Sequence, residues 1–172
     1  MQVPLVMTVI GKDRTGLVES VARLVAAHGG NWLESRMSRL GGEFAGILRV
    51  DVPADRRAAL ERALAVLADL TVVVRVDESA QPPGERELAS LEVVGPDQPG
   101  IVREISRTLA THGVNVEELA TECISAPMSG EALFQARAKL QLPAGVTVTA
   151  LRQSLEQALR GLTVEVTLAG LK

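Results

Sequence analysis

The chain repeats itself. Gly11, Asp13, Gly16, Val18, Arg23, Ala26, His28, Gly29, Asn31 and Glu34 recur 84 positions later as Gly95, Asp97, Gly100, Val102, Arg107, Ala110, His112, Gly113, Asn115 and Glu118. A duplicated chain of 172 residues must complete one small architecture twice, each time in about half that length. Further along, the offset widens to 90, Phe44 matching Phe134 and Pro53 matching Pro143, so the second copy carries extra residues near Ala126–Gly130 in what reads as a hairpin loop. Between the copies, ESAQPPGERE from Glu78 to Glu87 is polar, holds two prolines and lacks apolar periodicity. That composition is a linker's, which predicts a first domain over 1–77, a linker over 78–87 and a second domain over 88–172.

Each copy reads as βαββαβ. In the first, Val3, Leu5, Met7 and Val9 alternate as a strand, and Leu17, Val18, Val21, Leu24, Val25 and His28 follow at helical spacing until Gly29 and Gly30 stop the helix. Residues from about 31 to 40 and Phe44 to Val52 flank Gly41 and Gly42 as a hairpin, with Phe44, Leu48, Val50 and Val52 on one face. Asp55 is the expected N-cap of a second helix with Leu60, Ala63, Leu64 and Leu67 on its buried stripe, before a β-branched strand from Thr71 to Val76. The second copy predicts strands near 88–95, 115–125, 132–142 and 162–168, and helices near 99–112 and 147–160. Thr147 is the cap of its second helix, and Val148, Leu151, Leu155 and Leu159 are the stripe. The fold class is α+β: two ferredoxin-like units in tandem, each an antiparallel four-stranded sheet with both helices on one face.

Composition narrows the function. The net charge is -3 and the pI about 5.5, with no block of Lys or Arg. That balance argues against direct nucleic-acid binding, which needs a basic stripe. The single Cys123 precludes an intrachain disulfide framework, and no apolar run is long enough to span a bilayer, so a soluble cytoplasmic protein is expected. No motif for a serine nucleophile, a metalloprotease helix, a phosphate loop or a dinucleotide fold is present, and neither catalytic residues, a metal nor a cofactor is expected. His28 and His112 sit in the last helical turn, where an imidazole suits the C-terminal carbonyls. Cys123 reads as a buried core thiol, Trp32 as core or as a pocket residue, and Phe44 with Phe134 as core.

The stretch VVGPDQPGIV, from Val93 to Val102, places a turn between a strand and a helix. The first backbone N–H groups of a helix lack intrahelical partners and lie at the positive end of its dipole, so they suit a carboxylate. Gly100 leaves room for close approach, and Pro99 restricts the turn in advance. Asp97 and the amide of Asn115 would then read an ammonium group, the pair complementing a zwitterion. The same residues also admit a purely architectural reading, with Asp97 as helix cap and Asn115 in a left-handed conformation after the helix end.

Two βαββαβ units, each with G-x-D-x-x-G in the first turn and G-x-N after the first helix, resemble ACT domains, small regulatory modules that commonly bind amino acids. The likeness spans nearly the whole chain, and the freestanding pair, with VVGPDQPGIV and then APMSGEALF, is similar to the glycine cleavage system transcriptional repressor family. The resemblance implies ligand-binding positions at Asp13, Gly16 and Asn31 in the first copy, and at Asp97, Pro99, Gly100, Ile101 and Asn115 in the second. The first copy has Thr15 where the pattern has Pro, which loosens that turn. The resemblance further implies a non-catalytic regulator of glycine and one-carbon metabolism. Such a protein would bind a small amino acid such as glycine or serine, act through a partner such as a DNA-binding activator, and assemble as a homodimer.

Overall fold

The structure, a computed structural model, describes residues 1–78, 87–125 and 130–171. The expected linker and most of the extra hairpin residues, 79–86 and 126–129, lie outside the described residues. The chain divides into two compact units, Met1–Pro82 and Pro83–Lys172.

The first unit runs β1 (Gln2–Lys12), α1 (Leu17–Ala27), β2 (Asn31–Leu40), β3 (Glu43–Pro53), α2 (Arg57–Ala65) and β4 (Thr71–Val76). The second runs β5 (Glu87–Pro96), α3 (Ile101–Thr111), β6 (Asn115–Ser125), β7 (Ala132–Leu142), α4 (Val148–Ala158) and β8 (Glu165–Leu171). The sheet orders are β2-β3-β1-β4 and β6-β7-β5-β8, with every pairing antiparallel. Each unit is therefore the ferredoxin-like βαββαβ arrangement that the element order predicts.

One sheet face carries the core. Leu5, Met7 and Val9 of β1 and Leu48, Val50 and Val52 of β3 are buried in one cluster with Leu17, Val21 and Val25 of α1 and Leu60 and Leu64 of α2. The second unit repeats this with β5, β7, α3 and α4, the stripe Leu151, Leu155 and Leu159 being fully enclosed. Phe44, Phe134 and Trp32 pack against these cores while partly exposed. The opposite face is mixed: Ile10, Ile47 and Val73 are exposed on it, Arg49 pairs with Asp77 at 2.7 Å, and Glu92 accepts from Arg137 at 3.1 Å and from Gln135 at 2.6 Å. Those two donors hold the Glu92 carboxyl below its usual range.

The helix ends follow their sequence signals. Gly29 donates to Ala26 and Gly30 to Val25, closing a Schellman motif after α1, and Gly113 and Val114 do the same on Ala110 and Leu109 after α3. Val114, which closes the second motif, is buried in the same cluster as Leu109. His28 supplies the expected contact to a helix-end carbonyl, its Nδ1 lying 2.8 Å from the oxygen of Leu24. Gly41 and Gly42, both at positive φ, make the tight β2–β3 turn. Thr147 caps α4 by accepting from the Ala150 amide at 3.2 Å.

Three expectations are corrected. Asp55 is not the cap of α2: Arg56 occupies that position with no side-chain hydrogen bond, and Asp55 only meets Arg56 at 3.7 Å in solvent. The last strand starts at Glu165 and not near 162, because Arg160–Leu162 forms a 3-10 turn and Thr163 then enters the left-handed region at φ 51. Cys123 is exposed. It sits on β6, a sheet edge whose eleven residues are all exposed, whereas the sequence signal for burial is only its small apolar side chain.

Asp69 precedes β4 as Thr163 precedes β8, and it too lies at positive φ, 67. The carbonyls of these two residues cover Gly11 and Gly95 at the ends of β1 and β5. The edge strands are also duplicated in detail: β2 shifts register between Trp32 and Glu34, and β6 between Val116 and Glu118. Such a bulge twists an edge strand away from flat pairing.

Candidate functional site

Both strand-to-helix turns end on a glycine that only glycine fits well. Gly16 has φ 90 and ψ 4, Gly100 has φ 104 and ψ -13, and each is the N-cap of its helix. An L side chain is strained there, yet an added Cβ would meet nothing within 4 Å at either position. The glycines therefore serve backbone conformation and leave open space over the helix start. No side chain caps α1 or α3, so the first-turn amides keep their capacity for an acceptor. This excludes Asp97 as the helix cap. Its own backbone instead donates to the carbonyl of Ala132 at 3.0 Å, as Asp13 donates to Gly42 at 2.9 Å, tying each turn to the end of the neighbouring hairpin. In the second unit, the Gln98 amide also donates to the carbonyl of Leu162.

A cavity of about 270 Å³ opens at the first turn, lined by Asp13, Arg14, Gly16, Leu17, Val18, Glu19 and Phe44. That is just below the roughly 300–1,000 Å³ of drug-sized sites, so it suits a ligand of few heavy atoms. Its charges are already matched: Arg39 Nε lies 2.5 Å from Asp13 Oδ2, and Arg14 Nε lies 3.6 Å from Asp69. In the second unit Asp97 faces Cys123. Desolvation, then the Asp97 charge and a hydrogen bond to it, push that thiol up from its usual range and keep it protonated.

The structure does not bring the whole candidate set together. Asp97, Pro99 and Gly100 are exposed at the second turn, and Asp13 and Gly16 at the first. Ile101 lies at the same turn, but its side chain is 2% exposed and belongs to the core, leaving only its backbone for a ligand. Asn115 opens β6 opposite Gln141, at the far end of the sheet from Pro96, which pairs with Leu133. Eight residues of β7 at about 3.3 Å each separate the two places by roughly 26 Å. Asn31 stands at the matching far end, opposite Asp51. Asp97 and Asn115 of one unit therefore cannot grip one small ligand. Asn115 bonds Glu117 at 2.6 Å instead. Sequence reasoning also missed Arg39 and Cys123. The hairpin register was the available signal, since it returns these residues to the end of the sheet where the turns lie.

Among the described residues, no three His, Cys, Asp or Glu side chains gather to hold a metal ion, and no helix is long and apolar enough to cross a membrane.

The ACT-domain family model matches residues 3–77, and an ACT-domain model matches again over 89–135. The chain belongs to the ACT-domain family. Its two ACT units are similar to the glycine cleavage system transcriptional repressor of Escherichia coli (strain K12), at 26% identity over 169 residues, covering 96% of this chain and 87% of that protein. The repressor of the same description from Shigella flexneri gives the same figures. Among solved structures, an unknown protein from Galdieria sulphuraria superposes with a TM-score of 0.86 at 28% identity, with full coverage of both chains. The ACT pair is thus homologous to a glycine cleavage system repressor along nearly its whole length.

Proposed function

We propose that the protein is a non-catalytic, amino-acid-responsive regulator of glycine and one-carbon metabolism. It senses a small amino acid at its strand-to-helix turns and passes the signal to a protein partner such as a DNA-binding activator. One observation carries the reading: the uncapped helix start over an open left-handed glycine, with an acidic side chain beside it, present in both copies. A free amino acid offers the matching pair of charges, its carboxylate to the helix amides and its ammonium to the aspartate. The likeness to the Escherichia coli repressor supports the regulatory role and the metabolic assignment.

The test is a thermal-shift titration of the whole chain with glycine and with serine, followed by calorimetry on the wild type and on Asp97→Ala. A ligand bound by the folded state alone raises the melting temperature, with about 2.7 kcal/mol of stabilisation at one hundred times Kd. A saturable shift that disappears in Asp97→Ala is the expected outcome. No shift with either amino acid at millimolar concentration overturns the sensor and leaves a ligand-independent interaction module.

The assembly we infer is a homodimer. The edges β2 and β6 support it through their regular stretches beyond the bulges, Glu34 to Leu40 and Glu118 to Ser125, because exposed edge strands are a liability that pairing removes. Light scattering should give twice the chain mass, and a single-chain mass over a wide concentration range overturns it.

A further inference from the structure

The two turns are copies in sequence but not in charge. Position 39 of β2 and position 123 of β6 are equivalent: Arg39 pairs with Phe44 and Cys123 with Phe134. In the first copy the guanidinium of Arg39 sits on Asp13 at 2.5 Å, and a second cation, Arg14, lies beside the same cavity. In the second copy both cations are absent. A protonated thiol takes the place of Arg39, and Gln98, bound to the Leu162 carbonyl, takes the place of Arg14. Among the described residues, no cation lies within ion-pair distance of Asp97.

We propose that the second copy alone reads the amine of the ligand, and that Arg39 latches the first copy against it. The inference rests on the amino-acid-sensing reading above and assigns that function to one turn. An ammonium entering the first turn must displace the guanidinium from Asp13 and then remain beside Arg14, where like charges repel. At the second turn the same ammonium meets a carboxylate that holds only the neutral thiol of Cys123. An added Cβ at either Gly16 or Gly100 meets nothing within 4 Å, so neither glycine position is blocked, and the charge beside the two turns is what differs. Residue 39 or 123 is therefore the specificity-determining position, acting on the ligand through the neighbouring aspartate.

The experiment is calorimetric titration of the full chain with glycine and with serine. The wild type should take about one ligand per chain, lost in Asp97→Asn and kept in Asp13→Asn. Arg39→Cys should raise the stoichiometry to about two, the added site disappearing in the double variant Arg39→Cys with Asp13→Asn. Cys123→Arg should weaken the original site several-fold, the scale of an exposed ion pair. Both substituted side chains are exposed, so the variants keep the fold, which their melting curves verify. Two equivalent sites in the wild type, or a stoichiometry that stays at one in Arg39→Cys, overturns the latch while the sensor stands. Binding by neither the wild type nor Arg39→Cys overturns the sensor itself, and the latch with it.

Discussion

Gly11→Ala is expected to destabilise the first unit by about 3 kcal/mol, at the upper end of the cost of overpacking. The new methyl would stand 2.0 Å from the carbonyl oxygen of Asp69 and 3.0 Å from Leu70 Cδ2, so the nearest obstacle is backbone. That backbone has little freedom to retreat, because Asp69 is held at φ 67 and the next strand, β4, is locked into register with β1 from Thr71 onward. The equivalent Gly95→Ala should cost less. Its nearest obstacles are Val164 Cγ1 at 2.6 Å, Val164 Cα at 2.9 Å and the Thr163 carbonyl oxygen at 3.0 Å, so the backbone there stands further off than the 2.0 Å of the Asp69 oxygen at Gly11. Urea unfolding followed by Trp32 emission measures the Gly11 effect, and a loss below about 1 kcal/mol would mean that the segment before β4 shifts freely.

Leu155→Ala is expected to cost about 2–5 kcal/mol in the second unit, the range for truncating an enclosed leucine. Leu155 is 0% exposed and lies midway along the α4 stripe between Leu151 and Leu159, surrounded by the β5, β7 and α3 residues of the same cluster. Alanine keeps the helix propensity, so the loss reports packing and the cavity left behind. Urea unfolding by circular dichroism gives the magnitude, and hydrogen exchange should lose protection in peptides from 87–171. A cost under about 1 kcal/mol would show that the core collapses onto the smaller side chain.

Most of the fold was legible because each copy states it in short-range chemistry. Alternation marked β1, the glycine pairs marked the ends of α1 and the β2–β3 turn, and Thr147 marked the start of α4. The errors came where two local signals competed. Asp55 is a good cap by type, but the chain turns once more through Arg56 before α2 begins. The site was less legible because it depends on which ends of the elements meet. Asp97 precedes α3 and Asn115 follows it, and an eleven-residue helix at about 1.5 Å per residue already sets its two ends roughly 16 Å apart. That arithmetic was available in the sequence. The pairing of Asp13 with Arg39, and the neutral thiol in the corresponding place, needed the hairpin register, which the turn glycines offer, and also the side-chain conformations that bring the groups together, which they do not.

Trp32, packed against the first core at the start of β2, has an optical consequence. The chain contains no tyrosine and no other tryptophan, so its absorbance near 280 nm and its intrinsic emission enter through that one indole. The second unit has no strong near-ultraviolet chromophore of its own, and Phe134 is its single phenyl ring. Emission therefore watches the first unit, from the end of its sheet opposite the turn that Arg39 occupies, while the second unit has to be followed by heat, by exchange or by an introduced label.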